Sequence, residues 1–182
     1  MGIRKRKIIF DWLKREKEAV DPHIWLSPPL VKRQAEIIEK SLEQIDPDGR
    51  NIYRKNFKRF LSQIDELDQE IENILKDEKG KAFLVFHPCW GYFAERYGLR
   101  QIPIEMQGRE PSGMWLSRIV NYCKKMHVRV IFVQPQFSQK IPRLIAKEIG
   151  ARLVVIDPLS ENWMENLKYV AKKIKEAISS SS

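Results

Sequence analysis

Residues 82–87 read AFLVFH, residues 129–134 RVIFVQ and residues 152–157 RLVVID. Each is a short run of β-branched and aromatic residues closing on a polar side chain, apolar enough to be covered on both faces. Amphipathic stretches separate them. Strands alternating with crossover helices specify an α/β fold with a parallel sheet, and the run Gln101 to Ile104 brings it to four strands. The expected strands are Ala82 to Phe86, Gln101 to Ile104, Arg129 to Val133 and Arg152 to Ile156. The expected helices after them are Gly91 to Tyr97, Ser112 to Met126, Gln139 to Ile149 and Trp163 to Ile178.

In a parallel sheet the residues that close the strands share one edge, and ligands bind there. Those residues are His87, Glu105, Gln134 and Asp157. Topology therefore makes His87 and Asp157 neighbours. A neutral imidazole nitrogen and a carboxylate oxygen both suit zinc, and two histidines with a carboxylate form a borderline-soft donor set. His23 is a candidate second imidazole, in a segment stiffened by Pro22, Trp25, Pro28 and Pro29. A metal held between His23 and His87 would bridge two bodies. Bland roles stand beside these: His87 before Pro88 can simply end a strand, and Asp157 before Pro158 can start a turn or cap the last helix.

Other candidates read as structural. His127 closes a helix, where the macrodipole favours a cation, and Cys89 suits a small buried thiol near the site. Glu105, followed by Gln107, Gly108, Arg109, Glu110 and Pro111, fits a group that orients a histidine from behind. Two cysteines, Cys89 and Cys123, make no disulfide framework or zinc ribbon.

Toward the N-terminus, Ser27 before Pro28 and Pro29 predicts a capped helix start. That helix runs to about Ile45, and Val31, Ala35, Ile38, Leu42 and Ile45 are expected to form one buried stripe. Asp46, Pro47, Asp48 and Gly49 break it. From Arg50 to about Lys76 helical spacing continues without glycine or proline, giving one helix about 40 Å long at 1.5 Å per residue. A short coiled-coil dimer is the alternative use of its seam. The expected division is 1–20 unmatched, 21–47 a remnant of a first lobe, 48–79 the linking helix, 80–178 the α/β lobe and 179–182 a tail.

The 182 residues, 43% hydrophobic and 31% charged, can bury a core. No window approaches the roughly 18 uninterrupted apolar residues of a spanning helix. After the basic start Met1 to Lys7, the run Ile8, Ile9, Phe10 is too short for a secretory core. The expectation is a chain that is cytoplasmic as written, or a fragment of an exported one. The net charge of +9 comes from Lys and Arg interleaved with Glu and Asp, which argues for a solvated surface and against a nucleic-acid partner.

Five segments occur in one order: DPHIWLSP (21–28), HPCWGYFAERYGL (87–99), IPIEMQGREPS (102–112), VIFVQPQF (130–137) and IDPL (156–159). Together they resemble the zinc- and manganese-binding solute receptors of ABC importers, the cluster that includes zinc-uptake receptors and streptococcal metal adhesins. The resemblance implies two α/β lobes joined by a long helix, with the metal in the cleft and an ABC permease as partner. It implies His23, His87 and Asp157 as metal ligands. Histidine at position 87, where manganese-type members tend to carry glutamate, favours Zn2+ over Mn2+.

Two features depart from that pattern. Only twenty unmatched residues precede the DPHIW segment, where the family carries most of a lobe and a further histidine ligand, and Cys89 stands where the family usually carries a small residue such as alanine. The resemblance then implies weaker metal binding than in a full receptor, no competent docking on a permease, and an apolar helix face free for self-association. The rival enzymatic reading takes the same three ligands as an open zinc site with Glu105 as general base. A third reading is a basic helical interaction module.

Overall fold

The computed structural model describes residues 21–105 and 112–180. Residues 1–20, the loop residues Gln107 to Pro111 and the last two serines lie outside them. Two helices come first, α1 (Pro28–Ile45) and α2 (Arg50–Leu75). The lobe follows as β1 (Ala82–Val85), α3 (Gly91–Arg96), β2 (Arg100–Pro103), α4 (Gly113–Lys125), β3 (Val130–Val133), α5 (Lys140–Ile149), β4 (Arg152–Val155) and α6 (Trp163–Ser179). The strands start and stop within a residue of the expected limits. Phe86, Ile104 and Ile156 still donate ladder-like bonds to Phe132, Val85 and Val133.

All pairings are parallel, and the strand order is β2-β1-β3-β4. The chain steps outward from β1 to β2 and then returns to the other side of β1 for β3. The order of strand addition therefore reverses between β1 and β3, and in such sheets ligands bind beyond the C-terminal ends of the strands at that point. His87 leaves one side of it and Gln134 the other.

Alternation along the strands sorts the core into two layers. Phe83, Val85, Val130, Phe132 and Val154 face α2, α3 and α6, where they meet Leu67, Ile71, Leu75, Phe93, Leu167 and Ile174. Leu84, Ile102, Ile131 and Val133 face the other way, against Trp115, Ile119 and Cys123 of α4 and Ile145 of α5. No described helix is long and apolar enough to cross a membrane.

Two local expectations fail for physical reasons. Ser27 makes no side-chain cap bond. Pro28 and Pro29 fill the first two helical positions and bring no N–H, while the N–H of Leu30 goes to the Ser27 carbonyl at 2.9 Å. Ser112 does cap α4, accepting from the Trp115 N–H. The stripe of α1 is not buried: Ile38 is 58% exposed, Leu42 37% and Ile45 81%. Helix α2 covers one side of α1, and no second layer of described residues closes over the rest.

Candidate metal centre

The DPHIW segment reaches the strand-end edge because it is fastened there at both ends. The carbonyl of Asp21 accepts from the Tyr92 hydroxyl on α3 at 3.2 Å. At the other end the Trp25 indole N–H donates to the Pro158 carbonyl at 2.9 Å, and that of Trp163 donates to the Trp25 carbonyl at 2.8 Å. His23, far from the sheet in sequence, is thereby set against His87. Their ring centroids lie 5.4 Å apart, edge to face.

Each imidazole is held from behind by a buried carboxylate. Asp21 Oδ1 accepts from the His23 backbone N–H at 3.0 Å and meets its Nδ1 at 2.7 Å. Glu105 Oε2 lies 3.1 Å from His87 Nδ1. An ionised carboxylate can only accept, so the proton of each neutral ring sits on Nδ1 and the lone pair on Nε2. Nε2 is then the nitrogen that each ring has left for another partner. This is the carboxylate–histidine arrangement that fixes the tautomer of a zinc ligand.

The β3–α5 loop fixes His87 from its other sides. Gln134, fully buried, accepts the His87 backbone N–H through Oε1 at 3.2 Å and donates through Nε2 to the His87 carbonyl at 3.1 Å. The Phe137 ring stacks on the imidazole at 4.4 Å with 22° between planes. His87 has little freedom to turn away.

The two carboxylates leave one signature. Asp21 Oδ2 and Glu105 Oε1 are buried without a hydrogen-bond partner. Two acidic groups with unsatisfied oxygens behind two imidazoles make a setting that a divalent cation would balance.

Asp157 stands apart. Strand β3 lies between β1 and β4, so the ends carrying His87 and Asp157 are two strand spacings apart, roughly 10 Å. Its Oδ1 accepts from Gln136 Nε2 at 2.7 Å and from the Leu159 N–H at 2.9 Å. Among the described residues no three His, Cys, Asp or Glu side chains gather closely enough to hold a metal. The structure thus joins His23, His87 and Glu105 and leaves Asp157 at the rim.

Cys89, next to Gln134 Nε2 at 3.6 Å, is buried, and burial pushes its thiol well above the usual range. It stays a protonated thiol packed under the site. His127 is exposed and closes α4 in the left-handed region at φ 51°. Sequence reasoning gave no role to Asp21, Gln136 or Phe137 and only a place to Gln134. The Asp-Pro-His order was a usable signal, since an aspartate readily accepts from the N–H two residues on. Nothing local marks the other three.

Comparison with known proteins gives one answer. The family model for zinc-uptake complex component A, periplasmic (ZnuA), matches residues 5–177. The high-affinity zinc uptake system protein ZnuA of Bacillus subtilis is 35% identical over 143 residues, 78% of this chain and 45% of that protein. The zinc-binding protein AdcA of Streptococcus pyogenes is 34% identical over 143 residues, 78% of this chain but 28% of its own length. The chain thus spans less than half the length of these curated relatives. A crystal structure of ZnuA superposes with a TM-score of 0.89 at 45% identity, covering 97% of this chain and 67% of that one. The laminin-binding protein Lmb of Streptococcus agalactiae, described as an adhesin with metal-transporting activity, gives 0.80 at 30% identity, covering 87% and 65%.

Proposed function

Since this chain belongs to the family of ZnuA zinc-uptake components, we propose that it binds a zinc ion between His23 and His87, as the solute-binding part of an ABC-type zinc transport system. The observation that carries the reading is the pair of imidazoles 5.4 Å apart, each backed by a buried carboxylate with an unsatisfied oxygen. Asp157, which the structure leaves at the rim, would have to move inward to serve as the third donor. Two nitrogen donors favour zinc over manganese, which prefers oxygen. In this reading residues 21–47 belong to a first body, 48–79 to the linking helix and 80–178 to the α/β lobe. The partner is an ABC permease, and the place of action lies outside the cytoplasmic membrane, as the family's description states for its members.

The function is capture and delivery, without covalent chemistry. Glu105, the general base of the rival reading, faces His87 Nδ1, which suits it to orienting a ligand.

Zinc titration by calorimetry tests the site. His23→Ala and His87→Ala should each weaken zinc binding more than tenfold. Removing the carboxylate behind either ring, in Asp21→Asn or Glu105→Gln, should cost about 10- to 100-fold, the usual range for such partners. Asp157→Ala should cost least of the three ligands. Unchanged affinity in both histidine variants would remove the site.

A further inference from the structure

At the edge of the sheet opposite His87 the two middle strands part. β1 and β2 pair from Ala82 and Arg100 onward, and β3 and β4 from Val130 and Arg152. The ladder between β1 and β3 begins only at Leu84 and Ile131. Before that point the two strand pairs run on without a ladder between them, and a cleft of about 310 Å³ lies there. Phe83, Phe132 and Ile178 line it on the α6 side, and Leu84, Ile102 and Tyr122 on the α4 side. Its mouth is cationic. Lys81 and Arg100 line it, and Arg129 and Arg152 stand at the starts of β3 and β4. Lys81 is held by Glu78 at 2.8 Å. Arg100, Arg129 and Arg152 are exposed and enter no ion pair among the described residues.

We propose that this cleft binds a single-chain fatty acid, with the carboxylate at Arg100 and the alkyl chain between the parted strands. The C-terminal ends of α4 and α6 reach this edge, and their partial negative charge accounts for a cation or two beside them. It does not account for an apolar cleft behind those cations. The planar fork of an arginine matches a carboxylate, and apolar walls remove an alkyl chain from water. The volume lies at the lower end of the range for ligand pockets, roughly 300–1,000 Å³, which suits one chain better than the two of a membrane phospholipid. This site shares no residue with the proposed metal centre, so neither reading depends on the other.

The test titrates the metal-free chain with sodium decanoate, 1-decanol and decyltrimethylammonium, which share a tail and differ in head charge. Calorimetry gives the affinities and amide NMR spectra give the place. Decanoate should bind about tenfold more tightly than either of the others, the scale of one charge-assisted contact. It should move the amide signals of residues 80–84 and 128–132 and leave those of His23 and His87 in place. Arg100→Gln, at an exposed position, should abolish the preference for decanoate over decanol. Ala82→Leu puts a larger side chain on the lining of the cleft and should weaken decanoate and decanol alike. If that variant fails to fold, Arg100→Gln carries the test alone. Absence of decanoate binding, signal changes away from the parted strands, or a preference for decanoate that survives Arg100→Gln overturns the proposal.

Discussion

The second half of α2 and the helical hairpin ahead of it obey the same sequence rule and meet different ends. Ile64, Leu67, Ile71 and Leu75 are each 2% exposed or less; Leu67, Ile71 and Leu75 pack with α6 and the sheet in one core. Across the hairpin turn, Ile45 at the end of α1 is 81% exposed and Ile52 in the first turns of α2 is 63% exposed. Apolar spacing of three and four identifies which face of a helix avoids water. It does not supply the layer that covers that face. In the lobe the sheet and α6 supply it; around α1 only α2 does.

The contrast is sharpest in a pair of identical truncations. Ile71→Ala removes a fully buried side chain from the larger core and should cost about 2–5 kcal/mol, since the surrounding helices cannot collapse into the gap. Ile45→Ala should change stability by no more than about 0.5 kcal/mol. Urea denaturation of both variants measures the difference. Equal losses would mean that the hairpin and the lobe are one cooperative core, and the comparison would break.

A polar clamp marks the same boundary and predicts a smaller effect. Arg96 on α3 forks onto Asp68 of α2 at 2.7 Å and 3.0 Å and reaches Glu72 at 2.9 Å, while the Tyr97 hydroxyl donates to Asp68 at 2.8 Å. Asp68 retains 14% side-chain exposure. Arg96→Ala leaves it with the tyrosine alone and should cost about 1–2 kcal/mol, with partial solvent screening holding the figure down. The Arg54 fork onto Glu43 in the hairpin has the same chemistry and an equally covered carboxylate, but its arginine side chain is 55% exposed against 29% for Arg96. Its removal should cost clearly less, and thermal melts of the two variants side by side decide the point.

These differences also show what the sequence could disclose. Short β-branched runs and crossover spacing gave the four strands, because in a parallel sheet the run itself is the signal. The strand-end rule gave His87 and Glu105 their edge, and the structure joins them at 3.1 Å. His23 is a candidate for the second imidazole from its rigid segment, and it is the family motif that marks it as an expected ligand; no periodicity connects the DPHIW segment to the sheet. Asp157 was placed at the right edge, but strand order, which sequence does not reveal, set it two strands from His87. The grip of Gln136 on Asp157 and the stacking of Phe137 on His87 depend on loop contacts that leave no local pattern. The cap at Ser27 failed because the prolines that announce the helix also remove its N–H donors.

The smallest change in stability goes with a distinct change in behaviour. Ile37, Ile38, Ile45 and Ile52 are 64%, 58%, 81% and 63% exposed, and all four lie on the hairpin outside both cores. If these side chains share one apolar surface, it should associate with its own copies. Ile38→Lys with Ile45→Lys should leave the urea midpoint almost unmoved, because neither side chain fills a core. It should abolish the growth of apparent size with concentration that the wild-type chain is expected to show in sedimentation velocity. A wild-type chain that stays monomeric as concentration rises would show that these isoleucines are exposed without being adhesive. The distinction between the two regions would then rest on stability alone. A wild-type shift that survives the double variant would place the contact elsewhere and leave the hairpin face as a surface that water tolerates.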